Sequence, residues 1–468
     1  MNGPAEVTLE LPEPFLYALR DAVGAEAIRT DPPSREAYGA DALGIGHAPD
    51  VIVLPADVTQ VAAVARLCSG HHVPLVVRGG GTGYTGGAVP THGGVLLSME
   101  RFNRILEVDE VNLLASVEAN VITADLQRAV ERVGLFYPPD PASLEKSALG
   151  GNVAEGAGGP RAFKYGTTKR YVLALEAVLP TGEVIHTGSK AVKNVVGYDL
   201  TQLLVGSEGT LAIITRIVLR LVPKPPAQAT LLALFDGIEA AVNAVTALIR
   251  LRAVPSAIEL IDADSLRAVH EYLGHEIVPR EGKAAVIIEV DGSATAVEDE
   301  MQRVIRGCEE AGAVGIVPAA TASEREQIWS LRRQLSLALR ATGLLKINHD
   351  VVVPRGRVPE LFGAVADLKR EHALRIACFG HAGDGNIHVN IMVNRGDTAE
   401  RERARTAERQ LFERVVALEG SISGEHGIGF AKAQYLGIEL SPPEIALMKR
   451  IKRAFDPNGI LNPGKIFP

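Results

Sequence analysis

RGGGTGYTGGAVP, residues Arg78–Pro90, is the stretch on which the fold turns. It leaves an apolar run, VPLVVR (Val73–Arg78), that reads as a buried strand. That strand is reached through VIVLP (Val51–Pro55) and the helical pattern VTQVAAVARLCSGH, so the three form a βαβ unit. Gly81, Gly83 and Gly86 match G-x-G-x-x-G, the spacing of a dinucleotide-binding turn. That fingerprint needs a helix directly after the glycines, with its N-terminus facing the pyrophosphate. Here AVPTHGG follows, and then the strand VLLSM. Pro90 and two more glycines leave no place for a helix to begin, and a Rossmann fold is excluded. The loop still presents a row of backbone N–H groups beside Arg78, a nest that suits a diphosphate without a helix. A merely flexible surface loop is the weaker reading for so glycine-rich a run after a buried strand. No GKS or GKT occurs, which excludes a P-loop.

The chain has 468 residues, 47% of them hydrophobic and 22% charged, enough for two or three domains with sizeable cores. The net charge of −8 excludes a basic nucleic-acid face. Three scattered cysteines, Cys68, Cys308 and Cys378, include no CxxC pair, against an iron–sulfur cluster or a disulfide scaffold. The start, MNGPAEVTLELPEP, is acidic and contains proline, unlike a signal peptide. The apolar run TLAIITRIVLRLV is cut by Arg216 and Arg220, so no membrane span is expected and a cytoplasmic protein is.

Beyond the first loop the pattern gives strands at Arg104–Val108 and Leu113–Glu118 and a helix over Thr123–Val133. A second glycine-rich region, Pro138–Thr168, follows. VLALEAVLPTGEVIHTG reads as a hairpin turned at Thr181–Gly182, then comes a third glycine turn in VGSEGT and a long strand. Pro223–Pro226 (PKPP) marks a boundary. After it, TLLALF, AAVIIEV, VVVP and IACFGH read as strands. Helices are expected over Ile238–Leu251, Ala296–Ala311, Ser323–Ala341, Pro359–Arg370 and Thr398–Leu418.

The order RGGGTG, PPDP, GGNVAEGAGG and YDLTQLLVGSEGTLAIIT resembles the flavin domain of the vanillyl-alcohol oxidase/p-cresol methylhydroxylase superfamily. More narrowly it is similar to the D-2-hydroxy acid dehydrogenases that act on D-lactate, D-2-hydroxyglutarate or glycolate. The resemblance spans nearly all of the chain after about residue 45. It implies an α+β protein. A PCMH-type FAD-binding domain of two α+β subdomains would occupy residues 1–225, with its core at 46–225. A cap domain, an antiparallel sheet backed by helices, would follow over 226–420, and residues 421–468 would return to the flavin domain. By the same resemblance FAD is held by Arg78, Gly79, Gly80, Gly81, Thr82, Gly83, Pro141, Ser143, Gly150, Gly151, Asn152, Gly158, Ile213 and Asn462. Some relatives tether FAD through a histidine in the first loop. Thr82 stands at that position here, so the flavin is expected to be non-covalent.

FGHAGDGNIHVNIM (Phe379–Met392) carries a second kind of signal. Alternation from Ile387 places His388, Asn390 and Met392 on one face of a strand, with His381 on the glycine loop before it and able to fold back. Two converging imidazoles plus a carboxylate from elsewhere make a usable divalent-metal site, though alone the pair reads better as a buried hairpin with two hydrogen-bonded histidines. Resemblance to the dehydrogenases implies His381, His388 and Glu425 as ligands of zinc, with manganese or iron as alternatives. It also implies His426 as general base, with the α-hydrogen leaving as hydride to the flavin. Asp384 could orient a histidine instead of ligating. Arg332, Ser336 and Lys346 stand near positions that grip the substrate in relatives, and Asn390 is a further substrate contact. Ser336 replaces an expected threonine, and Ile347–Asn348 intervene after Lys346, so a dicarboxylate substrate is not implied. Arg332 could instead serve the α-carboxylate of a smaller acid or form an internal ion pair.

The expected activity is oxidation of a D-2-hydroxy acid to the 2-oxo acid. An electron-transfer flavoprotein, a quinone or a partner redox subunit would take the electrons, and such relatives are commonly homodimers. Two other readings compete. One is a flavin subunit of a multi-subunit glycolate oxidase complex acting mainly in electron transfer. The other is a non-redox relative such as an alkyl-glycerone-phosphate synthase.

Overall fold

A computed structural model describes residues 11–274 and 282–467. Most of the N-terminal stretch read above as no signal peptide, residues 1–10, lies outside them. The chain forms two compact units. One comprises the residues up to Gly158, Thr167–Lys224 and those from Glu425 onward; the other comprises Gly159–Gly166 and Pro225–Gly424.

The first unit contains two main sheets. In one, β1 (Ile28–Arg29), β2 (Val51–Val53), β3 (Leu75–Arg78) and β4 (Val95–Ser98) lie in the order β1-β2-β4-β3. β2, β4 and β3 are parallel and β1 is antiparallel. β2 (VIV) and β4 (VLLS) are buried along their whole length, as their largely apolar sequences require of a covered parallel sheet. The crossover helix Val58–His71 starts where Asp57 accepts the Gln60 amide at 3.0 Å, and stops at His72 in the left-handed region. The C-terminal segment runs along β3: the Leu75 amide donates to Ile460, and the Asn462 amide donates to Leu75.

The other sheet is antiparallel. β5 (Ile105–Asp109), β6 (Leu114–Glu118), β8 (Val172–Val178), β9 (Val184–Gly188) and β10 (Ile213–Arg220) are ordered β5-β6-β10-β8-β9. The β8–β9 hairpin turns with Gly182 at φ 90°. A small ladder joins β7 (Leu135–Phe136) to β11 (Val222–Pro223). Part of the second glycine-rich region is helical over Leu149–Glu155, with Gly156 ending it in the left-handed conformation.

The second unit is built on one seven-stranded sheet. It contains β12 (Ala227–Phe235), β13 (Ala257–Ile261), β14 (Ala284–Gly292), β15 (Gly315–Pro318), β16 (Leu345–Val352), β17 (Arg375–His381) and β18 (Asn386–Val393). Their order is β15-β12-β14-β13-β17-β18-β16, and every pair is antiparallel. β13 and β15 add strands to those expected, and β16 begins before the expected VVVP. Helices Ala263–Leu273 and Ala322–Ala341 cover one face. Leu331, Leu335 and Leu339 pack there with Ile261, Ile287, Phe379 and Met392. Each fully buried Leu or Ile in such a layer contributes about 1.5–3 kcal/mol.

Candidate active site

The cofactor loop is made of backbone. A Cβ on Gly80 would lie 2.3 Å from the Lys146 carbonyl oxygen, and one on Gly79 3.0 Å from the Ala148 Cβ. The first and second glycine-rich stretches are therefore packed chain against chain, which only glycine allows. Gly81 has φ 64°, and a side chain there would strike the Arg78 guanidinium. Arg78 consequently lies beneath the loop, donating to the Ala40 carbonyl at 2.7 Å with its guanidinium over the Tyr38 ring. The amides of residues 80–83 have no acceptor among the described residues. Gly151 opens outward: a methyl group on its Cα would meet no protein atom within 4 Å.

Three buried oxygens beside this cradle lack hydrogen-bond partners: Asn120 Oδ1, Asn462 Oδ1 and Asp41 Oδ2, the last 3.6 Å from the Gly83 Cβ position. Asn120 Oδ1 is 3.6 Å from the Gly79 Cβ position, and the Asn462 side-chain nitrogen donates to the Gly87 and Glu208 carbonyls. Free donors, orphaned acceptors and a flat glycine surface fit a dinucleotide cofactor. The remaining expected cofactor residues are less telling. Asn152 donates to Thr123 Oγ1 at 2.7 Å, Ile213 is fully buried at the start of β10, and Thr82, Pro141 and Ser143 are half-buried.

The turn carrying His426 is fixed within the same unit. Glu208, at φ 52°, accepts the Ile428 amide at 2.8 Å and the Gly429 amide at 2.6 Å. Burial pushes its carboxyl up against the pull of those two amides. The His426 carbonyl accepts from Thr85 Oγ1 at 3.1 Å, and its ring stacks on Tyr84 with centroids 5.1 Å apart. Glu425 packs on Gly158, where a Cβ would come within 2.9 Å of its carboxylate. Sequence reasoning misses Glu208, Tyr84 and Thr85; the one signal for Glu208 is an acid inside the glycine turn GSEGT.

The histidines of Phe379–Met392 lie on the sheet face covered by the Ala322–Ala341 helix. His381 is the last residue of β17, a correction to its expected place in the loop. The ladder continues to the pair His381↔Asn386, so the turn is only Ala382–Gly385. His381 and His388 rings stand edge to face with centroids 5.4 Å apart. Glu425 is the residue after Gly424, whose amide is held by Asp350. The His381 and His388 imidazoles, with a carboxylate from elsewhere in the chain, would suit a divalent cation.

The carboxylate on His381 is Glu259 in β13, with Oε1 2.5 Å from Nδ1. Asp384 instead accepts the Asn386 amide in the turn. Burial alone would raise the Glu259 carboxyl, but Arg332 and His381 beside it outweigh burial and hold it below the usual range. Arg332 Nε bonds Glu259 Oε2, and its guanidinium lies over the Phe379 ring. Lys346 donates to Ser336 Oγ at 2.7 Å, and burial pulls its ammonium down to about 7. Asn390 donates to the Ala377 and His388 carbonyls and accepts from Asn348. The structure thus gathers Arg332, Ser336, Lys346 and Asn390 on one face, each already engaged with protein.

The family model of FAD linked oxidases, C-terminal domain, matches residues 224–466, and that of an FAD binding domain matches residues 49–188. The chain belongs to the FAD-linked oxidase family. It is a flavoprotein oxidoreductase with a PCMH-type FAD-binding domain. This FAD-linked oxidase is 42% identical to the glycolate oxidase subunit GlcD of Bacillus subtilis, covering 90% of this chain and 89% of the relative. It is 37% identical to a D-lactate dehydrogenase of Anaerostipes hadrus, over 89% of each. In fold it is similar to p-cresol methylhydroxylase with substrate bound, with TM-score 0.79 at 18% identity, covering 99% of this chain and 98% of that one. No helix among its described residues is long and apolar enough to cross a membrane.

Proposed function

We propose that this FAD-linked oxidase dehydrogenates a small D-2-hydroxy acid, of the glycolate or D-lactate class, to the 2-oxo acid with a divalent metal, zinc first. The observation that carries the reading is the edge-to-face pairing of the buried His381 and His388 rings, centroids 5.4 Å apart, in a chain of this family. The names of its relatives, a glycolate oxidase subunit and a D-lactate dehydrogenase, support the substrate class.

FAD supplies the two-electron sink. A divalent cation held by His381, His388 and Glu425 would supply charge that lowers the pKa of an α-hydroxyl. The amides of residues 80–83 would hold the cofactor's diphosphate, and Asn120 and Asn462 would offer acceptors to its polar groups. His426 takes the hydroxyl proton as the α-hydrogen departs as hydride. Its stacking on Tyr84 and the anchoring of its turn by Glu208 fix the imidazole for that transfer. Arg332 is committed to Glu259, so Lys346 and Ser336 are the groups we assign to the substrate's far end. With its ammonium pulled down to about 7, Lys346 is only partly protonated near neutral pH, which favours a monocarboxylate over a second anionic carboxylate. The acceptor we assign is a protein or quinone partner, with a homodimer as the working assembly.

The reading is tested by dye reduction with the purified chain alone. D-lactate or glycolate should reduce the dye and L-lactate should not. Failure with all D-2-hydroxy acids, while flavin is bound, would favour a subunit that only relays electrons.

A further inference from the structure

The buried face of the second unit's sheet carries two acids, and they are handled differently. Glu289 in β14 is bonded at Oε2 by Thr230 Oγ1 at 2.9 Å and by Trp329 Nε1 at 2.7 Å, ordinary satisfaction of a buried carboxylate. Glu259 in β13 has no exposed surface and divides its oxygens: Oε2 meets Arg332 and Oε1 meets His381 Nδ1. The helix supplies Trp329, Arg332 and Ser336 at spacings of three and four, so one helical stripe addresses Glu289, Glu259 and Lys346 in turn.

We propose that Glu259, clamped by Arg332, is the positioning residue for the metal-binding nitrogen of His381. This rests on the metal reading above. The imidazole has one N–H when neutral. An Nδ1–H donated to Glu259 places the lone pair on Nε2, at the opposite side of the ring, and fixes the ring's rotation. The pairing Glu259↔His381 in the β13–β17 ladder puts both side chains on the same face, so the contact is set by backbone register. Arg332 is buried and lies over Phe379, so it cannot leave without exposing a buried charge. Arg332 thereby serves the metal site through Glu259, a role distinct from holding substrate.

The test compares zinc affinity in the full flavin-loaded chain, by competition with a chromophoric chelator. Glu259→Gln should weaken zinc binding about 10–100-fold, the range for loss of such a partner, with the flavin spectrum unchanged. Glu289→Gln is the control: an equally buried acid on the same face, whose loss should leave zinc affinity unchanged. If Glu259→Gln folds poorly, the pair Glu259→Gln/Arg332→Met removes both charges and should show the same loss. Unchanged affinity in the Glu259 variants, or equal loss in Glu289→Gln, overturns the proposal. Wild-type chain that binds no zinc overturns the metal reading itself.

Discussion

The two candidate ligand sites are built from opposite materials. The cradle of the first unit is backbone: Gly79 and Gly80 pressed on residues 146–148, unpaired amides at 80–83, two orphaned asparagine oxygens. The face of the second unit is side chain: Glu259, Arg332, His381, His388, Asn390 and Lys346 locked into one polar layer over an apolar sheet. A backbone site tolerates no added atom but needs few specific side chains. A side-chain site depends on charges that must be mutually satisfied. Perturbing each should therefore break different things.

The largest effect is expected where chemistry occurs. His426→Ala should retain flavin yet lose about 10²–10⁴-fold in dye reduction, the contribution of a general base. A variant keeping more than a tenth of wild-type activity would remove His426 from that role. Next is Gly151→Ala in the cradle. The methyl meets no protein atom, and Ala is about 1 kcal/mol better than Gly inside a helix. Flavin-free protein should melt higher while FAD affinity falls about tenfold; unchanged affinity would mean the outward face of Gly151 does not meet the cofactor. On the polar face, Trp329→Phe removes a donor to buried Glu289. Unfolding should lose about 1–3 kcal/mol, with flavin content intact.

The remaining effect is a pH slope. Lys346 is depressed to about 7 in the folded chain, against an ordinary lysine near 10.4 when unfolded. Between these values the unfolded state binds more protons, so stability rises with pH over about 7 to 10 and is lower below that window. Lys346→Met should flatten the rise in chemical-denaturation midpoints, and an unaltered slope would assign it elsewhere.

The contrast also explains what can be read from sequence. The glycine loop is legible because its requirement is local: thirteen consecutive residues, Arg78–Pro90, exclude a following helix and expose amides. The family order of motifs then leads to the fold class. His381 and His388 are legible by spacing, but Glu259 is not, because it lies 122 residues before His381 and meets it only through strand register. Its one trace is a lone acid within the apolar strand AIELI. Arg332 is visible as a binding residue, yet its partner is not, so sequence alone leaves its engagement with Glu259 open. Glu208 is hidden likewise, since its amide partners lie 220 and 221 residues on.

The central claim, that a flavin and a divalent metal act together on a 2-hydroxy acid, meets its most direct test in one anaerobic titration. Flavin absorbance of the purified chain is followed as D-lactate or glycolate is added, before and after dialysis against a chelator and again after zinc is restored. The account predicts bleaching, its loss with chelator while flavin stays bound, and its return with zinc. Full bleaching after metal removal would contradict it.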